Sequence, residues 1–294
     1  MRKRNWSQYN KELVQRGSLS FLIDVKALKK LSTSRQQTCM GRPKQFSDFV
    51  IHFLLLIKTH YRLTYRALEG FCRFTLSKWI KIPNYTLPCK RAGRFKNDIL
   101  QVGNHEGQVV ILDASGLRVR GEGEWKVKIH GRSGRRKWLK IHLALDGQSQ
   151  KIIAEEITEA TVSESSIAKR LLSGIKKPKV VIADGAYDRP SVREAIRMKK
   201  ARALIPPPKN ARYGQTDEER DVAIAQIKGL GGDKQAKSLW GKLTGYSRRA
   251  LIETAFSRMK GFFGDKLYSR KTDNQIVECR VRSILMNKML EIEV

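Results

Sequence analysis

Three carboxylates stand out by where they fall in a basic chain. Asp113 follows the apolar run Val109–Leu112, Asp184 follows the apolar run VVIA, and Glu253 lies in an amphipathic stretch near the C-terminus. Strand ends in mixed α/β sheets are where ligand sites gather. Singly, each Asp has an ordinary reading, since Asp after a strand commonly starts a turn or caps a helix. Together the three suit one chemistry. Two Mg2+ ions about 4 Å apart need anionic oxygen ligands on a rigid scaffold, with Mn2+ able to substitute. One ion activates a nucleophile, water or a 3′-hydroxyl, and the other stabilises the leaving oxygen of an in-line displacement at phosphorus. Asp188 competes with Asp184 in the same loop but is expected to be the N-cap of a helix that begins near Pro190.

Glu253 is placed by helical periodicity. Ile252, Phe256, Met259 and Phe263 are spaced 4, 3 and 4 apart and form a core stripe. Tyr246, Arg249, Glu253, Ser257 and Lys260 are spaced 3, 4, 4 and 3 apart and form a second stripe, about 100° around the helix. Glu253 then has cations one turn before it and two turns after. A solvated charged face with i,i+4 pairs, each worth a few tenths of a kcal/mol, has the same pattern. Between Arg118 and Lys140 lie nine Lys or Arg, counting both ends, among them Arg135, Arg136 and Lys137, against Glu122 and Glu124. A DNA-gripping loop is the preferred reading, and a solvated charged loop is the alternative. Trp125 and Trp138 could stack on bases, with core packing preferred for Trp138.

The charge balance points the same way. Lys and Arg number 59 and Asp and Glu 28, a net +31 with pI near 10.3. That much charge repels itself in a folded state and calls for a polyanionic partner, double-stranded DNA first. A hydrophobic content of 40% is enough for a core. No apolar run approaches the ~20 residues that span a bilayer. MRKRNWSQYN is followed by no apolar segment of the kind a secretory signal needs. Cys39, Cys72, Cys89 and Cys279 are scattered, which argues against a zinc site or a disulfide framework and fits a reducing cytoplasm. A G-x-x-x-x-G-K-[ST] loop is missing, so ATP use is not expected.

The elements that must position these residues are legible in outline. Residues 1 to about 40 are polar and basic, with a weak helix at Val25–Leu31, and Gly41–Lys44 looks like a linker. Ser47 caps a helix to about Tyr61, Thr64 caps a second, and a third is expected at Leu76–Lys81, stopped by Pro83. Arg66, Arg73, Lys78 and Lys81 on these helices fit a helix-turn-helix and fit equally a small bundle with a solvated basic face. From about Gln108 the pattern changes. A strand, Val109–Leu112, ends in a turn at Asp113. A hairpin follows, Trp138–Leu145 and KIIAEEI, turning at Asp146-Gly147. Then come a helix at Ser163–Leu172, a strand ending at Asp184, a helix at Pro190–Lys200 and a short strand in ARALIPP. Residues 207–245 resist assignment, and helices at Tyr246–Phe263 and about Asp273–Leu290 close the chain. The sum predicts an α/β fold with a mixed sheet flanked by helices. Residues 1–104 form an N-terminal helical, DNA-binding region, and 105–294 a catalytic domain with a short insertion at about 207–245.

The segment YSRRALIETAFSRMK carries the pattern Y-(2)-R-(3)-E-(6)-K as Tyr246, Arg249, Glu253 and Lys260. With ILDASG around Asp113 and IADGAYD around Asp184, it resembles the bacterial DDE transposases of the insertion sequence five family. NWSQYNKELVQRGSLSFLID, GRPKQFSD and NYTLPCKRAGR add to the resemblance, which covers nearly the whole chain. It implies an RNase H-like core with Asp113, Asp184 and Glu253 as the metal ligands. It implies that Tyr246, Arg249 and Lys260 contact the transposon end near the cleaved phosphate. Cationic side chains neutralise phosphate, and a Tyr can donate to it or stack on a displaced base. The stretch between Asp184 and Glu253 is too short for the large inserted β-domain of some relatives. The resemblance further implies binding to terminal inverted repeats and target DNA, a homodimer on DNA, and a bacterial cytoplasmic, nucleoid-associated protein. Two other readings stand beside it: a non-catalytic DNA-binding protein derived from such an enzyme, and a structure-selective nuclease on the same core. An intact acidic set argues against the first, and assaying strand transfer beside cleavage separates the second.

Overall fold

A computed structural model of the chain describes residues 5–18, 22, 45–96, 107–119, 138–214 and 218–292. The chain divides into two compact units, one of Met1–Leu100 with Tyr268–Val294 and one of Gln101–Leu267. Among the described residues, no helix is long and apolar enough to cross a membrane. Val25–Leu31 and Gly41–Lys44 lie outside the described residues.

The first unit is helical. Helix α1 (Trp6–Arg16) is capped by Asn5, and α2 (Asp48–His60) by Ser47, whose Oγ accepts the Val50 N–H at 3.3 Å. Helix α3 (Tyr65–Leu76) is capped by Thr64, accepting from Ala67 at 3.3 Å. The helix expected at Leu76–Lys81 is not there: α3 stops at Leu76, and the next helix, α4, spans Thr86–Ala92 and runs into a 3-10 turn at Gly93–Lys96. Pro88 sits in the first turn of α4, where a backbone N–H has no intrahelical partner to lose.

The C-terminal helix, Thr272–Leu290, packs on α2 and on the Gly93–Lys96 turn. Sequence reading had grouped it with residues 105–294. Helix α2 buries Val50, Ile51, Phe53, Leu54, Leu55 and Ile57, a set too wide for one face, so it must be covered from several sides. The C-terminal helix also carries a buried pair, Glu278 and Arg282, at 2.9 Å. Glu278 accepts the Tyr268 and Ser269 N–H groups as well, which satisfies the carboxylate out of water.

The second unit is built on a mixed sheet. Its strands are β1 (Val109–Val119), β2 (Trp138–Asp146), β3 (Ile152–Glu159), β4 (Val180–Ala183), β5 (Arg202–Leu204) and the short β6 (Lys266–Leu267). The order is β3-β2-β1-β4-β5, with β6 paired to β1. β1, β2 and β3 are antiparallel neighbours, while β4 runs parallel to both β1 and β5. This is the RNase H-like arrangement, a mixed sheet flanked by helices. Helices α5 (Glu164–Ser173) and α6 (Pro190–Met198) cover one face over Val110, Leu112, Ala144, Val181 and Ala183. Two further helices, α7 (Glu218–Gly229) and α8 (Lys234–Thr244), fill the stretch that the sequence left unassigned. A 3-10 turn at Tyr246–Arg249 leads into α9 (Ala250–Phe263), so the helix expected from Tyr246 becomes regular only at Ala250.

β1 does not end in a turn at Asp113. It continues through Ala114, Ser115 and Gly116 to Val119, paired with β2 as far as Arg118 opposite Trp138. Asp, Ser and Gly within four residues favour a turn, but the continuous ladder with β2 holds the segment extended. Trp138 is 38% exposed and is not a core residue. Its ring lies over Gly116, where an added Cβ would come within 3.1 Å of the indole.

Candidate active site

Register places Asp113 beside Asp184. Leu112 of β1 pairs with Ala183 at the end of β4, so the two following residues emerge side by side. Asp184 then leaves the sheet and caps the 3-10 turn Gly185–Tyr187, its Oδ1 accepting the Ala186 N–H at 2.9 Å. Asp113 Oδ1 accepts the Ala114 N–H at 2.8 Å. Burial raises the Asp113 carboxyl to about 6, with Asp184 and Glu164 pushing it further up and the Ala114 N–H and Arg249 pulling it down.

Glu164 is the third member of this cluster. One carboxylate oxygen each from Asp113, Glu164 and Asp184 lies within 4.8 Å of the others. Sequence reading missed it. It is the first residue of α5, and an acid in a helix's first turn is sufficiently explained by the helix dipole. The signal that could have raised it is its position directly after β3, at the helix that covers the sheet.

Glu253 is not in that cluster. It is 54% exposed on α9 and takes a hydrogen bond from Arg249 Nη2. Arg249 Nη1 in turn reaches Asp113 Oδ2 at 3.4 Å. The guanidinium therefore joins Glu253 to Asp113. The cations of the α9 stripe point to the same strand: Lys260 Nζ donates to Ser115 Oγ at 2.7 Å. Tyr246 is half-buried against Trp240, ring centroids 5.5 Å apart. Burial raises its hydroxyl to about 12, with Asp184, Asp113 and Glu253 contributing against Arg249. Arg135, Arg136, Lys137 and Trp125 lie outside the described residues.

Asp188 does not cap α6, whose N-cap is Arg189. It is 2% exposed and accepts from Arg193 Nε at 2.7 Å and from Arg220 Nε at 3.0 Å. A short polar residue ahead of Pro190 looks like a cap, but two buried guanidinium groups claim its oxygens.

The donor set is chemically uniform. Three carboxylates offer hard, anionic oxygens, which suit Mg2+, Mn2+ or Ca2+ and not a soft thiolate-seeking ion. The group is half-buried, so an ion held there would keep room for a substrate oxygen or water.

A family model described as a transposase DDE domain matches residues 104–288, and a second of the same description matches residues 14–122. Among solved structures, the chain is similar to a piggyBac transposase synaptic complex with hairpin DNA: 12% identity, 90% of this chain and 70% of that one covered, TM-score 0.42. It is similar to the Drosophila P element transposase strand transfer complex at 9% identity, over 90% of this chain and 85% of that one, with a TM-score of 0.31. For a pre-cleavage Mos1 transpososome the values are 11% identity, 90% and 84% coverage and a TM-score of 0.20.

Proposed function

The chain belongs to the DDE transposase family, a family of DNA-cleaving and strand-transferring enzymes, and from that membership we propose a specific activity for it. It binds the terminal inverted repeats of an insertion sequence of the insertion sequence five group. It then catalyses Mg2+-dependent cleavage at the element's ends and joining of the 3′-hydroxyl to target DNA. The observation that carries this reading is the meeting of Asp113, in the middle of β1, with Asp184, just past the end of the parallel neighbour β4, where a rigid sheet fixes both carboxylates.

Asp113, Asp184 and Glu253 are the residues that would hold two divalent ions. Such ions, when bound, supply activation of the attacking oxygen and stabilisation of the leaving one. The chain's own groups have separate tasks. Arg249 neutralises negative charge beside Asp113, and its planar fork suits a phosphate. Tyr246 keeps its proton through the neutral range and so serves as a donor to a phosphate oxygen. Lys260, fixed by its hydrogen bond to Ser115, places its side-chain nitrogen beside the strand that carries Asp113. The net +31 draws duplex DNA to a site whose own acids would repel it. Two ends must be brought together, so the working form is a homodimer on DNA, in the bacterial cytoplasm at the nucleoid.

The deciding experiment incubates the purified protein with Mg2+, a labelled duplex ending in the element's repeats, and a supercoiled target. Joined products show transposase activity. Cleavage without any joining would reduce the protein to a nuclease, and binding alone would reduce it to a DNA-binding derivative.

A further inference from the structure

We propose that Glu164 is a further ligand of the divalent-cation site, meeting Asp113 and Asp184 directly, with the Tyr187 hydroxyl positioning an oxygen held there. The inference rests on the reading of Asp113 and Asp184 as cation ligands.

The first observation is distance. Carboxylate oxygens of Asp113, Glu164 and Asp184 lie within 4.8 Å of one another. An ion with metal–oxygen distances of about 2.1–2.4 Å spans such a gap with little adjustment. Glu253, by contrast, is connected to Asp113 through the Arg249 guanidinium. Glu164 thus adds to the acidic set and does not displace Glu253 from it.

The bland alternative is a helix-terminal Glu that pairs with a nearby lysine. Lys140 Nζ does form an ion pair with Glu164 Oε1 at 3.6 Å, but beyond hydrogen-bond reach, and the same ammonium donates instead to the Val162 carbonyl at 3.1 Å. An acid that needed only the helix dipole would turn to water. The Glu164 side chain is 24% exposed and faces two other carboxylates, so even with Lys140 and Arg249 beside them three negative charges share one site, which favours a bound cation.

The second observation is independent of the acids. Tyr187 is fully buried, and its hydroxyl has no hydrogen-bond partner among the described residues. Leaving a buried hydroxyl unpaired is costly, because its hydration is lost with nothing in return. Its ring packs in the core beneath α5 and α6, and Glu164, Asp113 and Asp184 lie close enough to act on the phenol electrostatically. A water or phosphate oxygen in the carboxylate site is the partner this hydroxyl lacks.

The test is Mn2+ binding by the full-length protein without DNA, read by the electron paramagnetic resonance of free Mn2+, so no turnover is needed. Glu164→Gln is expected to weaken Mn2+ binding about tenfold or more, alongside Asp113→Asn. Glu164→Asp, which keeps the charge but shortens the reach, is expected to bind less tightly than wild type, and it stands in if the Gln variant does not fold. Wild-type affinity in Glu164→Asp and Glu164→Gln, with loss in Asp113→Asn, would overturn the role of Glu164 and leave the cation site standing. A wild type that binds no Mn2+, or an Asp113→Asn that binds it normally, would bring down the cation-site reading and Glu164 with it.

Discussion

Arg249 Nη1 lies 3.4 Å from Asp113 Oδ2, an ion pair between the turn that opens α9 and the middle of β1. The same guanidinium grips Glu253 one turn further on. Sequence spacing offers two partners for Arg249, a carboxylate or a phosphate. If Asp113 and Glu253 bind cations, the guanidinium gives up at least one of them and its fork is available to DNA. Arg249→Lys then keeps a charge but loses the two parallel donors. End-specific cleavage should fall about tenfold or more, while affinity for nonspecific duplex changes less than about threefold. Near-normal cleavage would restrict Arg249 to holding Glu253.

Asp113 should be held at a cost to stability. Its carboxyl is raised from 3.8 to about 6, chiefly by burial. The folded state therefore keeps its proton to higher pH than the unfolded chain does. The stabilisation this brings is complete below about 3.8 and is lost as pH rises through about 6. With divalent cations chelated, Asp113→Asn should melt at nearly the wild-type temperature at pH 4. At pH 7.5 it should melt several degrees higher, for a gain of roughly 1–3 kcal/mol. Melting curves at both pH values check this, and an equal Tm at pH 7.5 would show that the buried charge is compensated.

The basic loop is tested through salt. Each neutralised phosphate contributes about 0.9 to the log–log slope of affinity against salt. Replacing Arg135, Arg136 and Lys137 together by Ala should lower the slope by roughly 1–3 for an arbitrary duplex. Filter binding or fluorescence anisotropy across a salt series measures it. An unchanged slope would make the segment a solvated charged loop.

Much of this was legible in the sequence, and the exceptions share a cause. The caps at Ser47 and Thr64, the hairpin turning at Asp146-Gly147 and the strand before Asp184 are local signals, and each forms where its residues dictate. What misled were residues whose tertiary partners outweigh local preference. Asp113-Ala-Ser-Gly looks like a turn but is held as strand by β2. Asp188 looks like a helix cap but is claimed by Arg193 and Arg220. Glu164 is hidden in the sequence because helix-start acids are ordinary, and only the packing of α5 on the sheet brings it to Asp113 and Asp184. Glu253 is legible as an exposed acid on a cationic stripe, yet its link to Asp113 through one guanidinium is made only by the tertiary fold, across more than a hundred residues of chain.

The sharpest contrast is between Asp184 and Asp188, two acids in one short loop. Asp184 is partly exposed, and its one structural duty is to cap a 3-10 turn, which Asn performs about as well. Asp188 is buried between Arg193 and Arg220, which also donate to the carbonyls of Ile205 and Arg212. Removing Asp188 takes from two buried guanidinium groups the one carboxylate that both of them hold, a loss of about 3–5 kcal/mol. Asp188→Ala should therefore lower Tm by roughly 10 °C or unfold the protein, with cleavage falling only as far as folded protein is lost. Asp184→Asn should leave Tm within about 2 °C, leave DNA binding intact, and reduce Mg2+-dependent cleavage by three orders of magnitude or more. Paired melting and cleavage measurements on the two variants decide the matter. An Asp184→Asn protein that still cleaves would move the catalytic acid elsewhere in the loop, and an Asp188→Ala protein that stays folded but inactive would move it to Asp188.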